Sequence, residues 1–224
     1  MPRPAAANIL NDTIRTRMYL PSHFEETRPE VLHALMRARP LATLVTNGAD
    51  GPQADHIPLL LDSAAGVLRG HVARANPLWR DLPAASDTLA IFQGEDAYIS
   101  PSWYPSKQEH GKAVPTWNYV VVQAHGPLRS IDDPLWLRGF LRTLTTEHET
   151  GMAQPWAIDD APPDYIEKML AAIVGIELRI TRLSGKWKVS QNQSAANRQG
   201  VAQGLNAIAR PCMAALAVDY SRGV

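Results

Sequence analysis

Three strands in immediate succession are predicted by residues 41–73, which read LATLVTNGADGPQADHIPLLLDSAAGVLRGHVA. The first strand, 41–46, is rich in β-branched residues, and the Asn47-Gly48 pair after it tolerates the positive φ of a tight hairpin turn. The second strand, 57–61, and the third, 67–73, are separated by a polar turn that ends in a glycine. Strands joined by turns this short pair antiparallel, because a parallel pair needs a long crossover.

Outward from this meander, the hydrophobic period predicts further strands and helices. The pattern Thr27-Arg28-Pro29-Glu30 is typical of a capping box and begins a helix that ends near residue 38. The remaining helices are predicted over 133–148, 162–173 and 194–204, and the remaining strands over 88–92, 98–100, 117–128, 176–180 and 186–189. Seven or eight strands with four helices, mostly in consecutive hairpins, indicate an α+β fold built on an antiparallel barrel or sandwich with peripheral helices. This order argues against a doubly wound dinucleotide-binding fold.

The charge balance argues against a strongly basic nucleic-acid or membrane-surface binder, because 22 Lys+Arg face 22 Asp+Glu and the formal net charge is zero. No stretch approaches the roughly 18 apolar residues that a membrane span needs. The single cysteine, Cys212, excludes an intramolecular disulfide and indicates a reducing, cytoplasmic environment. We expect one domain over 18–206, preceded by a loose extension, 1–17, and followed by a tail, 207–224.

An anion site is indicated where the third predicted strand ends. Arg74 stands at the strand end, and Asn76-Pro77 has the form of a helix N-cap followed by proline at the first helical position. Free N–H groups at a helix start and a neighbouring guanidinium together suit a phosphate. The alternative is that Asn76 only caps the helix and Arg74 is solvated. From this motif alone the alternative is favoured.

Two further clusters could contact a ligand. Polar side chains leave one strand end together in Trp187-Lys188-Val189-Ser190-Gln191-Asn192, either to hydrogen-bond a heterocycle or to cap the next helix. Between residues 100 and 119, four aromatic residues stand among prolines. They could offer flat apolar surfaces to a planar ligand or a second subunit, or pack into a satellite core. Neither cluster decides between its two interpretations.

Motifs for the commonest enzyme chemistries are absent from the sequence. The seven histidines form no HxH or HxxxH pair, so no metal site is predicted. GxSxG, Walker and GxGxxG motifs do not occur, which leaves hydrolase, NTPase and Rossmann functions without support. His71 and His110 are the only candidates for general acid or base catalysis.

Taken together, six segments resemble the PaiB family, the FMN-binding negative transcriptional regulators of bacteria. They are, in order, 18–24 (MYLPSHF), 56–58 (HIP), 70–77 (GHVARANP), 98–104 (YISPSWY), 114–119 (VPTWNY) and 186–192 (KWKVSQN). The resemblance covers roughly residues 18–206. It implies the split β-barrel fold shared with pyridoxamine phosphate oxidases and flavin reductases, a homodimer, and FMN bound at the subunit interface.

The resemblance also implies roles for individual residues. Arg74 matches the position that holds the FMN phosphate, with Asn76 capping the helix beside it, while His56 and Ile57 lie on the strand that runs along the flavin edge. The rest of the predicted cofactor-binding set comprises His71, Trp117, Asn118, Lys188, Gln191 and Asn192, some of them contributed by the second subunit. The basic strand and Ser-Arg-Lys motif of pyridoxamine phosphate oxidases are missing here, which argues against that oxidase activity.

Three functions stay open at this point. The first is an FMN-binding regulator that senses flavin state or acts through a partner, and the second is an FMN-dependent oxidoreductase with a small substrate. The third is a flavin-free dimer. Zero net charge and the lack of a basic recognition helix argue against direct DNA binding. We expect the first, an FMN-binding homodimer.

Overall fold

A computed structural model describes residues 18–48, 51–80 and 87–220 of the chain. The predicted extension, 1–17, and the last residues of the predicted tail lie outside the described residues. The strands are β1 (Glu25–Glu26), β2 (Leu41–Gly48), β3 (Gly51–Pro58), β4 (Leu60–Asp62), β5 (Val67–Ala73), β6 (Asp87–Ile99), β7 (Thr116–Ile131), β8 (Ile173–Arg179) and β9 (Arg182–Lys188). The helices are α1 (Pro29–Ala38), α2 (Ser106–His110), α3 (Pro134–Glu149), α4 (Pro163–Ala171), α5 (Ala195–Ala207) and α6 (Pro211–Asp219).

The strands form one large antiparallel sheet in the order β3-β2-β6-β7-β8-β5-β4, with β9 pairing both β7 and β1. The long strand β7 organises it, because residues 119–125 pair with β9 and residues 128–131 pair with β8. At the other side, β3 pairs with β2, and its near-continuation β4 pairs with β5. The prediction of an antiparallel α+β fold is thereby confirmed.

The main core lies on one face of the sheet and obeys the two-residue period of its strands. In β2 the residues Ala42 and Leu44 are fully buried, and in β7 Val122 and Ala124 alternate in the same way with half-buried neighbours. Helices α1, α5 and α6 add apolar side chains to this core. A smaller core under α3 and α4 contains Leu137, Ile158, Ile166 and Leu170. No helix among the described residues is long and apolar enough to cross a membrane.

Several local predictions differ from the structure. The helix expected to begin with a capping box at Thr27 begins at Pro29 with no side-chain cap. The strands predicted over 88–92 and 98–100 are one strand, β6, with a register shift between Gln93 and Asp96. After Asn76 there is only a short 3-10 turn, Pro77–Trp79, within the described residues.

The end of the described chain packs against the rest of the protein. Helix α6 lies in the segment predicted as a tail, and its Met213 is completely buried in the main core. After α6, Tyr220 stacks on Trp187 with ring centroids 6.4 Å apart. An apolar helix beyond residue 206 has no polar face, so its pattern does not predict where it packs.

Candidate functional site

The predicted site residues fall into two groups and one separate position. His56, Ile57, Arg74 and Asn76 lie where β3 passes the end of β5. Trp117, Asn118, Lys188, Gln191 and Asn192 lie where β7 begins and β9 ends. We call these the β5-end group and the β9-end group. His71 belongs to neither.

In the β5-end group, Asn76 caps the 3-10 turn that follows it and also connects the end of β5 to β3. Its Oδ1 accepts a hydrogen bond from the Leu78 backbone N–H at 2.8 Å, and its Nδ2 donates to Asp55 Oδ1 at 2.8 Å. The cap predicted at Asn76 is therefore present, and the amide also joins the β5 end to β3. On β3, His56 is exposed while Ile57 is buried, as strand alternation requires.

Arg74 is not a solvated side chain. Its Nη1 and Nη2 donate to the two carboxylate oxygens of Asp132 at 2.8 and 2.6 Å, and further hydrogen bonds reach the backbone oxygens of Ala171 and Ile173 at 2.7 and 3.0 Å. The hydrogen bonds from Arg74 lower the pKa of Asp132. The guanidinium thus fastens the end of β5 to α4, β8 and the start of α3, and its charge is balanced by a carboxylate that sequence reasoning missed.

His71 projects toward helix α3. Its ring contacts Phe140 edge-on with centroids 6.0 Å apart, and its Nδ1 is buried with no hydrogen-bond partner among the described residues. Burial lowers the pKa of His71, so the imidazole is neutral at pH 7. The structure therefore places His71 apart from both groups.

The β9-end group borders a cleft of about 320 Å³. Of the predicted residues, Asn118, Lys188 and Asn192 line it; the other described lining residues are Phe24, Tyr104, Ser106, Lys112, Ala113, Val114, Thr116, Ser190, Gln193 and Asn197. Gln191 instead folds back on the strand end, where its Oε1 accepts from the Val189 N–H at 2.8 Å. Sequence reasoning missed Ser106, Lys112 and Asn197, because the 106–112 segment and α5 approach the cleft only in the folded chain.

Lys188 is the half-buried cation of the cleft. Its ammonium donates to Thr116 Oγ1 at 2.6 Å and to the backbone oxygen of Trp117, and it lies 5.9 Å from the centre of the Phe24 ring. Burial lowers the pKa of Lys188, and the positive charge of Lys186 lowers it further. None of the described lining residues is acidic.

A buried polar pair forms the floor of the cleft. Asn118 is 1% exposed, and its Nδ2 donates to Ser190 Oγ at 2.9 Å. Ser190 has a φ of 69°, a left-handed conformation that costs free energy in any residue except glycine. Nearby, Asn197 of α5 donates to Ser106 Oγ at 3.0 Å and so connects α5 to α2. The polar floor is therefore held in place from several elements.

The aromatic residues of the 100–119 segment divide between both interpretations. Tyr104 is buried and Trp103 packs against α5, as a satellite core would require. Trp117 is 55% exposed and meets Tyr98, 47% exposed, edge-to-face at 6.0 Å. The exposed pair leaves apolar ring surface open to solvent, next in sequence to the cleft residue Asn118.

The two groups lie far apart on one protomer. Pairing across β2 and β6 brings Asp55, the partner of Asn76, level with Ala124 of β7. Asn118 stands six positions away on the same strand, which corresponds to about 20 Å at 3.3 Å per residue. Side chains of the two groups therefore cannot meet within one chain. Among the described residues, no cluster of His, Cys, Asp or Glu is placed to hold a metal ion.

The sequence matches the family described as "Putative FMN-binding domain" over residues 18–182. It is 33% identical to an uncharacterized protein of Emericella nidulans, covering 84% of this chain and 90% of that protein. It is 31% identical to protease synthase and sporulation protein PAI 2 of Bacillus subtilis, covering 84% of this chain and 89% of that protein. Relatives in fungi and in a bacterium mean that the match does not by itself indicate a bacterial source.

Two solved structures share the fold. The flavocytochrome Anf3 from Azotobacter vinelandii superimposes with a TM-score of 0.56 at 17% identity, covering 79% of this chain and 74% of that one. The FAD and heme binding protein from Mycobacterium smegmatis gives a TM-score of 0.56 at 22% identity, covering 73% of each chain. At these identities the likeness concerns the fold.

Proposed function

The chain belongs to this FMN-binding, PaiB-like family, and from that premise we propose that it is a cytoplasmic homodimer that holds FMN between its protomers and signals flavin state to the transcription machinery through a partner. FMN is the cofactor that the family match assigns. One observation carries the shared site: on one protomer the β5-end and β9-end groups are offset by six residues, about 20 Å, along the strand direction. A second copy of the chain can bring the β9-end group of one protomer to the β5-end group of the other.

The residues present fit a flavin nucleotide. At the β5 end, Asn76 and Arg74 offer donors to a phosphate, although Arg74 shares its guanidinium with Asp132. At the β9 end, Asn118 and Asn192 offer amide groups to the polar edge of a ring, and Trp117 offers an apolar face. Bound flavin supplies electron transfer, while these side chains bind it, orient it and exclude water from it.

We also propose that the sheet closes as the split β-barrel of the family. Strand β3 pairs with β2, and its continuation β4 pairs with β5, although β2 and β5 are far apart in the strand order. Closure through this bent strand would remove an exposed sheet edge. The same interpretation gives one flavin-binding domain over 18–206, to which α6 adds core residues.

A regulatory role is supported by the name of the Bacillus subtilis relative, protease synthase and sporulation protein PAI 2, which refers to sporulation. The balance of 22 Lys+Arg against 22 Asp+Glu favours action through a partner over direct DNA binding, which depends on cationic contacts to phosphates. An FMN-dependent oxidoreductase is the second candidate. It is favoured by the cleft of about 320 Å³ beside Lys188, which is large enough for a small substrate.

The absorbance spectrum of the purified protein, with and without added FMN, tests cofactor binding. A flavin spectrum that sharpens and shifts on binding is expected, and an unperturbed spectrum of free FMN would contradict it. Light scattering should give about twice 24.6 kDa. A monomer at micromolar concentration would refute the shared site.

Subunit mixing tests the shared site directly. Arg74→Ala and Trp117→Ala alter different groups, so each homodimer should bind FMN weakly. Random mixing should give heterodimers in which one site is intact, restoring about a quarter of the wild-type sites in a twofold dimer. If each site lies within one protomer, mixing restores nothing. Flavin fluorescence before and after mixing distinguishes the two results.

A further inference from the structure

The cleft at the β9 end carries positive charge that nothing in its lining balances. Lys188 and Lys112 both line it, and none of the described lining residues is aspartate or glutamate. Glu25 is paired with Lys186 in the register of β1 and β9 and is not a lining residue of the cleft. The lining therefore favours an anion over a neutral or cationic ligand.

Among the described residues, the contacts of the Lys188 ammonium are with neutral groups. Its ammonium is fixed by two oxygen acceptors, Thr116 Oγ1 and the Trp117 carbonyl, both of which are neutral. Carboxylates elsewhere pair with arginines, as in the ion pairs Arg69–Glu177 and Arg74–Asp132. A half-buried ammonium without a counter-charge pays a desolvation cost that an entering anion would offset.

The other lining residues of the cleft indicate the chemical class of the ligand. Phe24, Tyr104 and Val114 are apolar or aromatic, whereas Asn118 and Ser190 form a polar floor. Helix α5 begins at Ala195, just after the lining residues Asn192 and Gln193, so the positive end of its dipole lies near the cleft. A volume of about 320 Å³ admits a molecule with a small apolar body.

We propose that this cleft binds a small organic carboxylate, as a second ligand beside the flavin, with Lys188 and Lys112 contacting the carboxylate group. The proposal rests on the proposed function, because it assigns the flavin phosphate to the β5-end group of the other protomer. FMN also carries an anionic group, so its phosphate is the rival occupant of the cleft. The experiment must separate these two sources of negative charge.

The test uses benzoate as the anionic probe and benzamide as its neutral counterpart of nearly equal shape. Both are titrated into the flavin-free protein and into the FMN-saturated protein, with binding followed by calorimetry. We expect benzoate to bind both forms, and at least about tenfold more tightly than benzamide, because a charge-assisted hydrogen bond is worth that factor or more. Lys188→Met and Lys112→Met should each weaken benzoate binding by about tenfold. Lys107→Met, on the exposed surface of α2 outside the cleft, should leave it unchanged.

Lys112 protects the test against misfolding, because its exposed side chain can be changed without disturbing the contacts of Lys188. Benzoate binding that is absent, equal to that of benzamide, or unchanged in both lysine variants would overturn the proposal. A second result would also overturn it: FMN saturation abolishes benzoate binding, and Lys188→Met weakens the affinity for FMN but not for riboflavin. That result would place the FMN phosphate in the cleft. Failure of the proposed function would be observed separately, because the wild-type protein would then bind no FMN. Benzoate binding to the flavin-free protein could still be measured in that case.

Discussion

Replacing Glu26 by glutamine should destabilise the protein at neutral pH and remove part of its acid sensitivity. Glu26 is 4% exposed, and its carboxylate accepts hydrogen bonds from the Arg28 backbone N–H at 2.8 Å, from the Arg28 guanidinium at 3.0 and 2.6 Å, and from the Tyr220 hydroxyl. Burial alone raises the pKa of Glu26, but the hydrogen bonds from Arg28 and Tyr220 outweigh it and lower the pKa to about 2.

The magnitude follows from the difference between the folded and unfolded states. An ordinary glutamate has a pKa of 4.5, so the ionised form of Glu26 contributes about 3 kcal/mol to folding at pH 7, at about 1.4 kcal/mol per pH unit between the two pKa values. Because the folded-state pKa is the lower one, this contribution is complete above pH 4.5 and is lost as the pH falls toward 2. Between pH 7 and pH 3, wild type should lose about 2 kcal/mol relative to Glu26→Gln.

Urea unfolding followed by tryptophan fluorescence measures this difference, because Trp187 stacks on Tyr220 in the same cluster. Other carboxylates titrate over the same range, but they do so in both proteins and cancel in the comparison. Glu167→Gln is the matched control: Glu167 is an exposed partner of Arg138, and its loss should change stability by less than about 0.5 kcal/mol at either pH. Parallel stability curves for wild type and Glu26→Gln would refute the reasoning.

The remaining predictions concern packing, the cleft floor and the flavin phosphate. A Cβ at Gly139 in α3 would meet nothing within 4 Å, whereas one at Gly204 in α5 would lie 2.2 Å from an indole carbon. Thermal unfolding should therefore show Gly139→Ala stabilised by about 0.5–1 kcal/mol and Gly204→Ala destabilised by about 1–3 kcal/mol. Ser190→Ala keeps the backbone strain but leaves the buried Asn118 amide short of a partner, and calorimetry should show a loss of about 1–3 kcal/mol. Arg74→Ala should raise the dissociation constant for FMN about tenfold and leave that for riboflavin unchanged; equal losses for both flavins would contradict a phosphate contact.

Sequence reasoning succeeded for the fold where the signal is local. The alternation in β2 and the turn after it lie within a few residues, so the β2–β3 hairpin could be predicted from them. The meander as a whole was wrong, because the second strand predicted over 57–61 is divided between β3 and β4, and β5 pairs with β4 and β8. Sequence reasoning also failed for β6, where Gly94 separates two apolar runs and resembles a strand end. The structure explains that glycine differently, because a Cβ there would lie 2.4 Å from Val120 Cγ2 on the neighbouring strand. The need for glycine at this position comes from a strand that is distant in sequence, so the residues around Gly94 do not indicate it.

For the candidate site as well, residues in distinctive local segments could be predicted, whereas contacts between distant segments could not. Asn118, Lys188 and Asn192 could be singled out because they stand in dense polar and aromatic segments that border a strand. Asp132 could not be identified as the partner of Arg74, since 58 positions separate them and Asp132 itself resembles a helix cap. Asn197 could not be predicted for the cleft either, because only the packing of α5 against the 100–119 segment brings it there.

A net charge of zero describes the whole chain but not the field at its surfaces. The guanidinium of Arg74 is matched by the carboxylate of Asp132. Lys188 lies instead among neutral acceptors, in a cleft without acidic lining. Equal numbers of charges therefore leave local positive potential at the β9 end while the β5 end is largely neutralised. A small anion should therefore be attracted to the β9 end through Lys188, whereas Asp132 reduces the positive potential that Arg74 alone would give the β5 end.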